Sequence, residues 1–160
     1  MILDHGRRKV VRWAVTPSPS MRWVVQQLRE AMPYGQQPRF LFRDNDGIYG
    51  NGVGAFLDSC DIDEVRTAYR SPWQNGTAER WIGSCRRELL EHVVVLSERH
   101  FIRLVRSYIS HYHQDRCHLG LGKDTPNGRS VTPRPSSTAK VVALPRVGGL
   151  HHRYEWRDAA

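Results

Sequence analysis

The sequence has few cysteines, few lysines and no long apolar run. The scarcity of cysteine and the lack of an apolar run each exclude a class of protein. Its three cysteines, Cys60, Cys85 and Cys117, are odd in number and lack CxxC spacing, which argues against a disulfide framework and a zinc ribbon. No segment approaches the roughly 20 apolar residues of a membrane-spanning helix, and the first residues lack the charge arrangement of a signal peptide. We therefore expect a cytoplasmic protein with reduced thiols and no membrane partner.

Arginine supplies almost all of the positive charge, because lysine occurs only at Lys9, Lys123 and Lys140. Lysine and arginine number 24 against 16 acidic residues, which gives a net charge of +8 and a pI of about 9.9. The planar guanidinium binds phosphate through paired hydrogen bonds, so the charge suits a nucleic-acid partner. On charge alone, that interpretation and a generally basic soluble protein are equally good.

Apolar periodicity predicts strands that alternate with helices. Residues 2–3, 9–15, 40–42 and 63–69 have the β-branched and aromatic content of strands. Helical spacing of apolar residues predicts helices over 21–32, 53–60 and 77–93, and a last helix that opens at Ser97. This order predicts an α/β fold with a mixed sheet flanked by helices.

The composition shifts to Gly, Pro, Ser and Arg after Gly120. We therefore predict a core domain over residues 1–126 and a basic tail over 127–160, mostly extended or mobile.

Two carboxylates stand where an α/β fold places chemistry. Asp44 directly follows the apolar strand 40–42, and strand ends of this kind face the usual ligand crevice. At about 100° per residue, Asn75, Glu79 and Arg86 share one helix face. By local sequence alone, an aspartate such as Asp44 is more often a turn residue, and a glutamate such as Glu79 is most often a solvated helix residue.

Three segments in order carry a resemblance to a known family. Residues 71–80, SPWQNGTAER, are similar to the SPxxNxxxER signature of retroviral-type integrase cores and bacterial insertion-sequence transposases. Residues 42–49, FRDNDGIY, resemble the second-aspartate motif of that family, and residues 112–126 resemble its YNxxRxHxxL…TP segment.

The resemblance implies a ribonuclease-H-like fold and metal-dependent phosphoryl transfer on DNA ends, as in DDE-type integration and transposition. It implies that Asp44 and Glu79, 35 residues apart, are catalytic ligands of a two-metal site for Mg²⁺ or Mn²⁺. Asp46 is the alternative to Asp44 if the glycine of the motif is matched instead of the aromatic residue. The resemblance also implies that DNA contacts fall to Asn75, Arg80, Arg86 and Arg87, and that the chain acts as a multimer with itself or with intact transposase.

One part of the family pattern is missing. Residues 2–11, which include Asp4, resemble the second and third strands of the family, and the aspartate there is not a ligand. The resemblance places the first catalytic aspartate one strand earlier, before Met1. We therefore expect a sheet that lacks its first strand, an incomplete metal site and little activity from this chain alone.

Two other interpretations stay open at this point. The chain is alternatively a non-catalytic remnant that binds DNA or pairs with transposase. Within the third segment, His111, His113, Cys117 and His118 are alternatively zinc ligands.

Overall fold

The computed structural model describes residues 1–33 and 35–158. The chain divides into two compact units. The first unit holds residues 1–5 and 10–81, and the second holds residues 6–9 together with the described residues from Ile82 onward.

Strands and helices alternate in the predicted order. The strands are β1 (Ile2–Asp4), β2 (Lys9–Arg12), β3 (Phe40–Arg43), β4 (Asp63–Arg66), β5 (Lys140–Arg146) and β6 (His151–Arg157). The α-helices are α1 (Met21–Ala31), α2 (Gly50–Ser59), α3 (Gly76–Glu88) and α4 (Glu98–Gln114). Short 3₁₀ turns connect them, among them Gly47–Tyr49, Pro72–Asn75 and Leu90–His92.

Serine caps fix the starts of two helices. The hydroxyl of Ser20 accepts from the amide of Trp23 at 3.3 Å, and that of Ser97 accepts from the amide of His100 at 3.1 Å. A cap of this type contributes about 1 kcal/mol because it satisfies an amide that the first helical turn leaves unpaired. Both helices therefore begin where the sequence predicts.

The core of the first unit lies between α1 and α2. Leu28, Val53, Leu57 and Ile62 are buried together. Partly buried apolar side chains surround them, from β1, α1, β3 and α2: Ile2, Val24, Val25, Met32, Leu41, Tyr49, Phe56 and Cys60.

The sheet is smaller than the fold prediction required. Among the described residues, β1 pairs only with β2, β3 only with β4, and β5 only with β6. The β3–β4 pair is parallel, with Phe40 opposite Asp63 and Arg43 opposite Arg66. The mixed α/β class is confirmed, but one continuous ribonuclease-H-like sheet is not formed by these strands.

Helix α3 differs from its prediction in length and in its buried face. It ends at Glu88, and a 3₁₀ turn follows where the prediction continued the α-helix to Val93. The apolar side chain of Ile82 is 49% exposed, whereas Trp81 and Ser84 are buried together with Cys85 and Leu89. The buried face is therefore rotated away from Ile82, toward Trp81 and Ser84.

An ionic cluster holds the second unit together. The guanidinium of Arg116 donates to both carboxylate oxygens of Glu88, at 2.6 and 2.8 Å, and the hydroxyl of Tyr108 donates to the same carboxylate at 2.9 Å. Val105, Ile109 and other apolar residues of α4 are buried around it.

The predicted extended or mobile tail instead contains an antiparallel hairpin. β5 and β6 pair over seven residues each, from Lys140 opposite Arg157 to Arg146 opposite His151. The hairpin docks through charge: Asp115 has a side chain only 1% exposed and accepts from Arg146 at 2.9 Å and from Arg153 at 3.4 Å. Composition missed the hairpin because its anchor is a carboxylate on a distant segment and not an apolar core of its own.

Replacing Asp115 with Asn tests this anchor. We expect Asp115→Asn to lower the free energy of unfolding by about 2 kcal/mol, less than the roughly 3–5 kcal/mol of a fully buried pair, because both arginines remain about one-third exposed. Urea denaturation measures the change. Glu91→Gln, at the exposed pair with Arg86, is the matched control and should cost under about 1 kcal/mol. Equal small effects of both substitutions would contradict the anchor.

Candidate active site

A groove of about 620 Å³ runs through the first unit. We call it the strand-edge groove, because two runs of consecutive residues line it, Met1–His5 around β1 and Pro38–Arg43 around β3. A strand that lines a cavity with one face contributes alternate residues only, whereas an edge contributes successive ones. Phe40 and Phe42 are each 44% exposed. The groove is therefore bounded by two unpaired strand edges.

Arg43 fixes the end of β3 beside this groove. Its side chain is 6% exposed. The Nε atom donates to Glu64 of β4 at 2.5 Å, and a terminal nitrogen donates to the carbonyl of Asp44 at 3.0 Å. The guanidinium also lies over the ring of Tyr49, 4.8 Å from its centroid. The direction in which the chain leaves β3 is therefore set by a buried charge.

Glu64 is ionised in this arrangement. Burial acts to raise the pKa of Glu64, but hydrogen bonds from Arg43 and Arg66 outweigh it and hold the pKa below its usual value. A depressed carboxylate pKa stabilises the folded state above the unfolded pKa, and this contribution is lost as pH falls through the folded value.

Asp44 is the first residue after β3, and its side chain is exposed. Its carboxylate accepts from the amide of Asp46 at 3.3 Å. Burial, followed by the charges of Asp44 and Asp46, raises the pKa of Tyr49, so the phenol stays protonated and able to donate. Asp46 has a structural task, because its carboxylate caps the turn Gly47–Tyr49 by accepting from the amide of Ile48 at 3.0 Å.

Glu79 is exposed in the first turn of α3, where the helix dipole favours a negative charge. Asn75 closes the preceding 3₁₀ turn and does not belong to α3 itself, and Arg80 is exposed beside Glu79. A hydrogen bond at 2.6 Å from the amide of Ala68 to the side chain of Gln74 ties this turn to the segment after β4.

The two predicted ligands each follow a residue that lines the same groove, although neither is itself among the lining residues. Arg43 and Ala78, the residues that immediately precede Asp44 and Glu79, both line the strand-edge groove, as does Asn75. Carboxylate oxygens are the donors that Mg²⁺ and Mn²⁺ prefer. However, no group of three or more His, Cys, Asp or Glu side chains that could hold a metal forms among residues 1–33 and 35–158. The donor type therefore suits the ion, and the donor number does not.

Arg86 and Arg87, the other predicted DNA contacts, lie in the last turn of α3 and belong to the second unit. Both are exposed. Arg86 faces Glu91 at 3.5 Å with three-quarters of its side chain exposed, so solvent screens that pair.

Two of the four alternative zinc ligands, His111 and His118, pack against aromatic rings. His111 is buried and stacks on His151 with ring centroids 4.5 Å apart, and His118 packs edge-on against Tyr112. Burial, then neighbouring positive groups, lowers the pKa of each of these two histidines to about 4. Both are therefore neutral core residues at pH 7, and Cys117 is exposed.

Residues 61–126 match the family model described as the integrase core domain. The match contains β4, α3 and α4 with Glu79, and it confirms the resemblance to an integrase or transposase catalytic core over this part of the chain. It associates the chain with proteins of DNA integration and transposition. No curated protein matches the chain. Within the described residues, no helix has the length and apolar character to cross a membrane.

Paired substitutions test whether Arg43 positions the site. Arg43 and Arg66 both bind Glu64, but their side chains are 6% and 55% exposed. We expect Arg43→Met to lower the free energy of unfolding by about 3 kcal/mol, because it leaves Glu64 with one exposed partner, and Arg66→Met to lower it by under about 1 kcal/mol. Denaturation by urea gives both values, and indistinguishable values would show that burial of Arg43 is energetically unimportant.

Proposed function

We propose that this chain is part of a DDE-type recombinase that acts in DNA integration or transposition by metal-dependent phosphoryl transfer on DNA ends. One observation carries the proposal: Glu79 lies in the segment that matches the integrase core, and Ala78 and Arg43, the residues before Glu79 and Asp44, line the same groove. The known partner of such a core is DNA, and the excess of arginine supports that partner.

Asp44 and Glu79 would hold Mg²⁺ or Mn²⁺ through carboxylate oxygens. When bound, a pair of such ions activates an attacking oxygen and stabilises the leaving one. Each of the two aspartates accepts a backbone amide two residues later, Asp44 from Asp46 and Asp46 from Ile48. The position of Asp44 directly after β3 and its 35-residue step to Glu79 support Asp44 over Asp46 as the ligand.

Two carboxylates are fewer than the family pattern requires. We therefore propose that the 160-residue chain is inactive alone, because the described residues supply no third ligand to complete a site with Asp44 and Glu79.

DNA contacts divide between the two units. Asn75 and Arg80 stand beside Glu79 and would bind the phosphates next to the reacting bond. Arg86 and Arg87 would hold the duplex farther along. Association with a second copy, or with intact transposase, belongs to the same proposal.

A second candidate function is a binding remnant without catalysis, and the charge distribution favours it. The second unit has sixteen lysines and arginines against seven acidic residues, whereas the first unit has eight against nine. The basic unit is thus separate from the unit that holds Asp44 and Glu79. Such a chain can bind DNA with no help from the candidate active site.

A strand-transfer assay tests catalysis. With labelled element-end DNA and Mg²⁺, we expect no nicked or joined product from the 160-residue chain, because its metal site is incomplete. In a version extended upstream by the missing strand and carboxylate, we expect activity that Asp44→Asn lowers at least about 100-fold, while Asp46→Asn retains most of it. Metal-dependent product from the 160-residue chain would contradict the incomplete site. Loss of activity with Asp46→Asn but not with Asp44→Asn would reverse the assignment.

A further inference from the structure

The second unit contains a groove of about 540 Å³ between the segment 117–132 and the C-terminal hairpin. We call it the hairpin groove. Its lining combines Cys117, Lys123 and Arg129 from the segment with Arg153, Tyr154 and Trp156 from β6. All of these residues belong to one compact unit. Lys123 and Arg129 therefore line one side of the groove, and Arg153 lines the other side together with the aromatic rings of β6.

Aromatic side chains recur at every second residue of β6. His152, Tyr154 and Trp156 share one face of the strand because side chains alternate in β-structure. The residues opposite them on β5 are small or short: Pro145, Ala143 and Val141. Tyr154 is 60% exposed, and its ring centroid lies 6.3 Å from that of His152. Tyr154 is therefore accessible, whereas Trp156 is half-buried with the guanidinium of Arg134 over its ring, 5.4 Å from the centroid.

The acidic residues of the groove are already neutralised. Asp124 is paired with Arg7 at 2.8 Å and accepts from the amides of Thr125 and Arg129. Glu155 is paired with Arg153 at 2.5 Å.

Two cations of the groove have no carboxylate partner within the described residues. Lys123 enters no ion pair there, and the guanidinium of Arg129 donates to the neutral carbonyl of Tyr154, at 2.9 Å. The charge that remains in the groove is therefore positive and stands beside an exposed ring.

We propose that the hairpin groove binds single-stranded DNA, with an unpaired base stacked on Tyr154 and adjacent phosphates on Lys123 and Arg129. Positive side chains that follow the backbone, next to aromatic rings on which bases stack, are the usual means of holding a single strand without sequence preference. The volume lies within the roughly 300–1,000 Å³ of sites for small ligands, which suits one or two nucleotides. This inference rests on the proposed function, in which DNA ends are the substrate. It gives the predicted tail, residues 127–160, a role in binding DNA.

Binding of a fluorescein-labelled oligo(dT) to the full 160-residue chain, followed by anisotropy, tests the proposal. We expect Tyr154→Ala to raise Kd about tenfold and Tyr154→Phe, which keeps the ring, to leave it within about twofold. Lys123→Gln should reduce the salt slope, d log K/d log[salt], by about 0.7, the value for one phosphate contact on a single strand. Arg103→Gln, which removes the same charge from the exposed face of α4, should change that slope less.

Cys117 offers a second measurement on the unmodified protein. It is the exposed cysteine of the three, while Cys60 is partly buried and Cys85 is buried. Since Cys117 lines the groove, oligo(dT) should slow its reaction with a maleimide at least about fivefold. The Cys117→Ser variant gives the background rate.

The outcomes separate this proposal from the function on which it rests. If the chain binds oligo(dT) but Tyr154→Ala leaves Kd unchanged and Cys117 stays reactive, the groove is not the site, and the DNA-processing role is unaffected. If a duplex of equal length binds more tightly and protects Cys117 equally, the single-strand assignment is overturned. If no DNA binds at all, both proposals fail together.

Discussion

The guanidinium of Arg43 lies buried between Glu64 and the ring of Tyr49, and the candidate site depends on this placement. A buried charge is tolerated only when its hydrogen-bonding groups are satisfied, so the ends of β3 and β4 are locked in register by the Arg43–Glu64 pair. The next residue, Asp44, must then leave the strand in one direction. The 3₁₀ turn that Asp46 caps returns the ring of Tyr49 to the guanidinium of Arg43. The local geometry is therefore over-determined although only a two-stranded sheet supports it.

The two units divide the work that the proposed function requires. The first unit has a near balance of charge, an open groove between strand edges, and the two candidate ligands. The second unit has the excess of positive charge, two neutral buried histidines, and a hairpin held by Asp115. A weakly charged unit suits a metal-binding site, and a strongly basic one suits a polyanion.

Sequence alone predicted the elements whose signals are local. The capped starts at Ser20 and Ser97, the apolar strand before Asp44 and the mixed α/β class needed only periodicity and caps. The resemblance in residues 71–80 located Glu79 within a segment that the integrase-core match confirms, although its role as a ligand stays a proposal. The predicted division at residues 126 and 127 also stays a prediction.

The features that were missed depend on long-range partners. The hairpin of β5 and β6 is held by Asp115, which lies 31 residues before Arg146. No local sequence pattern predicts that pair. The rotation of the buried face of α3 toward Ser84 has the same origin, since tertiary packing overrides apolar spacing. The alternation of His152, Tyr154 and Trp156 could have predicted a row of aromatic side chains. That prediction would have required these residues to be assigned to a strand first.

The central claim is that Asp44 and Glu79 act as one carboxylate pair at one groove. The most direct measurement is paramagnetic broadening of backbone amide NMR signals by dilute Mn²⁺ in the 160-residue chain. The account predicts weak broadening centred jointly on residues 44–49 and 76–80, and it predicts that Glu79→Gln removes the broadening around Asp44 as well as its own. Independent responses of the two segments, or broadening centred on Asp115 or Asp124, would contradict the account.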